Sequence, residues 1–177
     1  MTAQSQYDYG CFFCRTGCEN RVAKQIELSA DGVEAIAPVK VRHRKCHGVI
    51  TEEKVTLFPG YVFFRSSSEE FSPFVLQHKN DCYTLLTDTE NDWRLYGDDL
   101  TIVRSMFDLN GVIGLSCAYF VGNRIRIKNG FLKDHEGSIL KVNKYAQTVQ
   151  VRIRLSSKEF LFWLGYELID EIKDADT

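Results

Sequence analysis

Cysteine and histidine are the residues of this chain with the richest chemistry, and their spacing sets the first question. Cys11, Cys14 and Cys18 stand two and three residues apart, a spacing at which thiolates can share a tetrahedral zinc. A structural zinc site usually needs a second close pair, and the later candidates are the neighbours Cys46 and His47. If Tyr9 to Cys14 is a strand, Cys11 and Cys14 also point to opposite faces and cannot easily share a metal. No metal and no other cofactor is expected. The histidines, at 43, 47, 78 and 135, are scattered. No Ser, Cys or carboxylate is paired with them in a recognisable catalytic pattern, and no Gly-rich phosphate loop is present. The expectation is a binding protein, not an enzyme.

The cations carry the stronger signal. The chain has a net charge of −2, but from Phe120 to Ile172 nine Lys or Arg stand against six acids, a local +3 that leaves −5 elsewhere. Such asymmetry assigns a phosphate-bearing partner to the C-terminal part. Arg124 to Lys128 and Val149 to Leu155 alternate charged or polar residues with branched aliphatics. That is the period of strands wet on one face, so Arg126, Lys128, Arg152 and Arg154 lie outward where they can meet phosphates. Lys133 and His135 in a basic loop after Gly130, together with Lys144 and Lys158, complete the RNA-binding set. A solvated barrel face also needs polar residues, so the cluster argues more strongly than its members. A second basic run, Arg42 to Gly48, reads as a hairpin tip, and its His43, Arg44 and Lys45 serve either solubility, as in many such tips, or contact with DNA.

The elements that must position these residues fall into two sets. With 177 residues, 44% hydrophobic and 26% charged, the chain suits one large or two small folded domains without cross-links. Tyr9 to Cys14 reads as a buried strand and Cys18 to Leu28 as an amphipathic helix. Val33 to Val41, reaching Pro38, fits an edge strand. Val55 to Leu57 and Tyr61 to Arg65 flank the turn Phe58-Pro59-Gly60. Ser67 and Glu70 have capping-box spacing and predict a helix running through Phe71, Phe74 and Val75. Tyr83 to Leu86 reads as a strand, and Asp98-Asp99 opens a further helix. These make an α+β domain over 8–109, with an antiparallel sheet and flanking helices. A linker over 110–118 follows, then a small β-barrel of four or five strands over 119–173. No run reaches the roughly 18 apolar residues of a bilayer span, and the polar start lacks a secretory segment. A cytoplasmic monomer with no membrane contact is expected, and its cysteines are then reduced.

Several of these motifs occur together in a known family. The opening aromatic strand, Arg15-Thr16-Gly17-x-Glu19, Pro38, and Phe58-Pro59-Gly60-Tyr61-Val62-Phe63 resemble the N-terminal (NGN) domain of NusG-like transcription elongation factors. Gly122-Asn-Arg-Ile-Arg-Ile127, Gly130-Phe-Leu and Glu136-Gly137-Ser-Ile139 resemble a KOW module. The resemblance implies RNA polymerase as a partner, docked on an apolar surface near Phe58, Pro59 and Tyr61, with at least one of Phe58 and Tyr61 exposed. A general NusG contacts termination factor Rho or a ribosomal protein through an aromatic after the fourth barrel strand. Here that loop reads Leu155-Ser156-Ser157-Lys158. The segment from Asp98 to Phe107 and Ile113-Gly-Leu-Ser116 look like the LoaP branch, which implies transcription antitermination through a structured RNA hairpin bound by the KOW domain. The alternative is a general elongation or termination factor acting through protein contacts.

Overall fold

The computed structural model describes residues 7–77 and 84–169, with the side chains of 44–46 left aside. Its described residues divide into two compact units, one of residues 1–39 and 56–111 and one of residues 40–55 and 112–177. The second unit therefore takes in a hairpin from within the span expected to be one domain, and it begins inside the expected linker.

In the first unit, β1 (Asp8–Phe13) leads into α1 (Glu19–Glu27), and β2 (Val33–Ile36) follows. Beyond Pro38 the chain passes into the second unit for β3 (Val39–Cys46) and β4 (Val49–Thr56) and returns with β5 (Tyr61–Ser66). A short strand β6 (Thr84–Leu85) and the helix α2 (Gly97–Asp108) complete the unit. The sheet order is β2-β5-β1-β6. The central strands β1 and β5 pair antiparallel, with Cys11 opposite Phe63 and Phe13 opposite Tyr61. A central strand must be apolar on both faces, and β5 is buried at five of its six positions.

Each face of this sheet takes a helix. Phe12, Val62 and Phe64 pack with Val22, Ala23 and Ile26 of α1, and with Leu76, Leu85 and Trp93. On the opposite face Tyr9 meets Phe107 of α2 edge-on, at 5.5 Å between centroids. Residue 10 has to be glycine, because a Cβ there would stand 2.4 Å from the ring of Phe64 and 2.7 Å from that of Trp93. Those two rings stack at 5.3 Å over the strand.

Three expectations need correction here. The capping box at Ser67 does not start an α-helix: Ser68 N–H donates to the Ser66 hydroxyl instead, and only a 3-10 turn forms, over Pro73–Leu76. Local side-chain bonding by Ser competes with helix initiation. The expected strand Val33 to Val41 is two strands, broken at Pro38. The basic segment 42–46 is not a hairpin tip but the end of β3, and the tip is the two-residue turn His47-Gly48. Both turn residues have positive φ, 50° and 83°, the geometry that joins twisted antiparallel strands.

The second unit adds β7 (Val112–Ile113), β8 (Ser116–Val121) and β9 (Arg124–Asn129). It ends with β10 (Ile139–Asn143), β11 (Thr148–Leu155) and β12 (Lys158–Leu168). The hairpin of β3 and β4 forms a three-stranded sheet with β7, and the other strands run in the order β10-β11-β12-β8-β9. The long strand β12 pairs antiparallel with β11 over its first eight residues and parallel with β8 over its last three. This five-stranded sheet is a partial barrel, and a 3-10 segment, Phe131–Ser138, follows β9 and buries Phe131, Leu132 and His135. The inward positions are those the alternation requires: Ile125, Ile127, Val149, Val151, Ile153 and Leu155 are buried.

Candidate polymerase and RNA surfaces

The turn Phe58-Pro59-Gly60 is built from the inside. Glu19, first residue of α1, is buried, and its carboxylate accepts the N–H of Gly17 at 2.8 Å and that of Gly60 at 2.8 Å. The Cys14 N–H donates to the Gly60 carbonyl at 2.8 Å, so the turn is fixed on both sides. Gly60 has φ of +83°, and a Cβ would lie 2.9 Å from the ring of Phe13. The sequence motif thus encodes a clamp, and the role of Glu19 in it is not visible until the chain is folded.

The expected exposure of Phe58 or Tyr61 is not found. Phe58 and Tyr61 are both buried, at 0% and 4% exposure. Phe58 is held edge-on by Phe63 at 5.6 Å and Tyr61 by Phe13 at 5.3 Å. The pleat explains it: a strand buried on both faces has no outward side for Tyr61, and the turn folds Phe58 back under itself. Pro59 is exposed. Beside it lies Phe13, 43% exposed at the end of β1, which the sequence pattern had placed in a buried strand. Phe13 and Pro59 are thus the exposed apolar side chains at this turn, with Tyr61 packed against Phe13.

The cationic residues separate into groups. Arg152 and Arg154 project outward from β11 beside the exposed Lys141 of β10, while Lys158, at the start of β12, is paired with the inward Leu155. Glu159 sits among them, 3.9 Å from Arg152 and 3.4 Å from Arg154. Arg126 and Lys128 lie on β9, at the far end of the strand order. Arg126 pairs with Glu136 at 2.8 Å, and the other oxygen of that carboxylate accepts the Ile127 N–H at 3.1 Å. That double bonding holds Glu136 on the backbone, draws its carboxyl below the usual range, and gives Arg126 a structural task. Lys133 is exposed on the 3-10 segment. Lys144 reaches over the ring of Phe120, 4.4 Å from its centroid.

His135, expected on the RNA surface, is not exposed. It is buried, with its ring 4.5 Å from that of Phe131, and its Nε2 has no hydrogen-bond partner. Burial lowers its pKa, against a smaller opposing effect of Asp134, and the ring is part of the core. The sequence signal misled because a short basic loop and a 3-10 segment look alike in composition.

His43 is exposed on β3 next to Arg42, whose guanidinium pairs with Glu53 of β4 at 2.6 Å. Arg44 and Lys45 have side chains outside the described residues. Of the cysteines, Cys14 lies in the α1-side core and Cys11 on the other face, both buried. The Cys11 thiol is pushed well up, mainly by burial and then by Cys14. Among the described residues no group of three or more His, Cys, Asp or Glu is arranged to hold a metal.

An α+β domain with a clamped apolar turn, joined to a strand-rich domain with a cationic outer face, defines a two-domain protein that presents two different surfaces. Residues 9–106 match the NusG family, described as "Transcription termination factor nusG". The chain belongs to the NusG family of transcription factors. No curated protein matches the sequence. Among solved structures, one described as "Domain interaction in Thermotoga maritima NusG" is similar over 90% of this chain and 93% of that one, with a TM-score of 0.52 and 16% identity. At that identity the likeness concerns the fold. Among the described residues, no helix is long and apolar enough to cross a membrane.

Proposed function

We propose that this protein is a specialised NusG-like processive antitermination factor of the LoaP type, which holds RNA polymerase with its first domain and a structured RNA leader with a KOW-type second domain. The observation that carries the reading is the outer face of β10 and β11, where Lys141, Arg152 and Arg154 stand on adjacent strands, with Glu159 of β12 beside the two arginines. That face is the basic part of a chain whose overall charge is −2. Phosphate contacts of this kind position an RNA without reading its sequence.

The loop that carries an aromatic in a general NusG supports the same choice. Here it is a tight turn in which Ser156 and Ser157 both have positive φ, 48° and 64°, a geometry that a bulky side chain adopts at a cost. A Rho-type or ribosomal-protein contact through that loop has no anchor. Binding polymerase and transcript at once makes the second contact effectively intramolecular, raising its local concentration without any new interaction. In such a complex the basic hairpin residues His43, Arg44 and Lys45 would be the contacts to upstream DNA.

The test uses the intact chain, captured polymerase and a randomised pool of RNA hairpins. Phe13→Ser should weaken polymerase capture and leave RNA affinity unchanged, while Arg152→Ala with Arg154→Ala should do the reverse. RNA affinity should fall steeply with salt. Failure to retain any hairpin from the pool at low salt would remove the antitermination reading and leave only a polymerase-binding factor.

A further inference from the structure

The outer face of β10, β11 and β12 holds more than cations. Cross-strand partners share a face of a sheet, so the register fixes its membership. Gln150 of β11 stands between Lys141 on one side and Trp163 on the other. Arg152 is paired with Leu161, and Arg154 with Glu159. The three adjacent strands thus present a row of Lys141, Gln150 and Trp163 and beside it Arg152 and Leu161. Trp163 is 41% exposed and Leu161 53% exposed. Both sit on a strand whose opposite face buries Leu164 and Tyr166, so their exposure is not needed to complete the core.

The edge of β12 at this point carries another cation. The Trp163 carbonyl accepts a hydrogen bond from Lys40 Nζ at 3.0 Å. Burial, and then the neighbouring Arg42, lower the Lys40 pKa. An indole with a Lys on the adjoining edge, an Arg on the next strand and a second Lys on the strand beyond has the composition of a site for a flat, aromatic, negatively linked ligand. Trp is the side chain with the largest stacking surface, and unpaired RNA bases are read by stacking on aromatics while flanking cations meet the backbone.

We infer that Trp163 is a stacking platform for an unpaired base of RNA, with Lys141 and Arg152 engaging the phosphates on either side of it. The inference rests on the RNA-binding reading above and deepens it, because it assigns the second domain a single-stranded segment, such as a hairpin loop, in place of a paired stem. A fully paired helix keeps its bases stacked on one another and cannot offer one to the indole.

The experiment titrates the full-length protein with three probes: short oligo-uridylate, short oligo-adenylate and a blunt RNA duplex. Two signals are followed, probe anisotropy and tryptophan fluorescence. The other tryptophan, Trp93, is buried at 8% exposure in the core of the first unit, so quenching by a stacked base reports on Trp163. Expected are binding of the single strands in preference to the duplex and quenching on binding. Trp163→Leu should lose about tenfold in affinity, with Trp163→Phe recovering most of it. Leucine keeps the apolar cover and phenylalanine keeps the ring, so the pair separates stacking from packing, and matched thermal melts identify any variant that fails to fold. If RNA binds but Trp163→Leu matches the wild type, the platform is wrong and the RNA-binding reading stands. If none of the probes, nor any hairpin of the pool, binds at low salt, both fall. If the duplex binds as tightly as the strands, or Leu and Phe are equivalent, the face is a cationic or apolar cover and the inference is overturned.

Discussion

Glu19 shows how much of a recognition surface can depend on one residue that never touches the partner. Its two oxygens hold Gly17 N–H and Gly60 N–H, each at 2.8 Å, and so join the start of α1 to the exposed turn at Pro59. Glu19→Ala leaves a buried donor at Gly60 and a half-buried one at Gly17. An orphaned buried donor costs roughly 1–3 kcal/mol, so a loss of about 2 kcal/mol or more is expected in urea denaturation. Glu19→Gln keeps one acceptor oxygen and should fall between. Because the turn would relax, polymerase capture should drop along with stability in Glu19→Ala. A wild-type denaturation midpoint for Glu19→Ala would show that the carboxylate is dispensable. At this scale the sequence was a mixed guide. Phe58-Pro59-Gly60-Tyr61 marked the right turn, but whether an aromatic points in or out depends on which strands flank it. With β5 central, Phe58 and Tyr61 had nowhere to go but inward. His135 fails for the same reason: its ring is captured by Phe131, a contact no spacing reveals.

Elements were legible where period and chemistry agreed. The helix opened by Asp98 and Asp99 forms over Gly97–Asp108, with both acids in its first turn. The alternating strands β9 and β11 present their charges and bury their aliphatics as the period of two requires. Elements were misread where a local signal had a competitor, as at Ser67, or where a strand ran on through polar residues, as β3 does through Arg42 and His43. Exposed hairpins need no apolar alternation, so their length is hidden from the pattern. The turn after β9 is the element whose failure should be most visible. Gly130 has φ of +89°, and a Cβ would meet Ser116 Oγ at 2.6 Å and the Ser116 Cα at 2.9 Å. That same hydroxyl accepts the Leu132 N–H at 3.2 Å, so the strand cannot simply move away. Gly130→Ala therefore combines a positive-φ extended backbone essentially restricted to glycine, about 1–3 kcal/mol, with a clash and a disturbed buried hydrogen bond. We expect a loss of roughly 2–4 kcal/mol confined to the second unit. Hydrogen exchange should show β8 and β9 losing protection while β1 and β5 keep theirs. Uniform loss across both units would mean that they unfold as one.

For the whole molecule the governing fact is that attraction to RNA must come from a patch and not from the sum of charges. The chain is net −2, and at about 0.1 M salt interactions beyond roughly 10 Å are largely screened. Acids far from the cationic face should then matter little, while an acid inside it matters a great deal. Glu159 is inside it, within 4 Å of both Arg152 and Arg154, and all three are exposed enough that the ion pairs themselves stabilise the fold little. Glu159→Gln removes the competitor for both guanidinium groups. It should tighten hairpin binding by a few-fold at low salt and steepen the dependence of log affinity on log salt by about the 0.7–0.9 expected for one more phosphate contact. Glu90→Gln changes net charge by the same amount on the exposed surface of the first unit, and should leave both quantities alone. The comparison isolates location from charge. Equal effects of the two substitutions would mean that RNA senses the overall field of the protein, and that the outer face of β10–β12 has no privileged part in binding it.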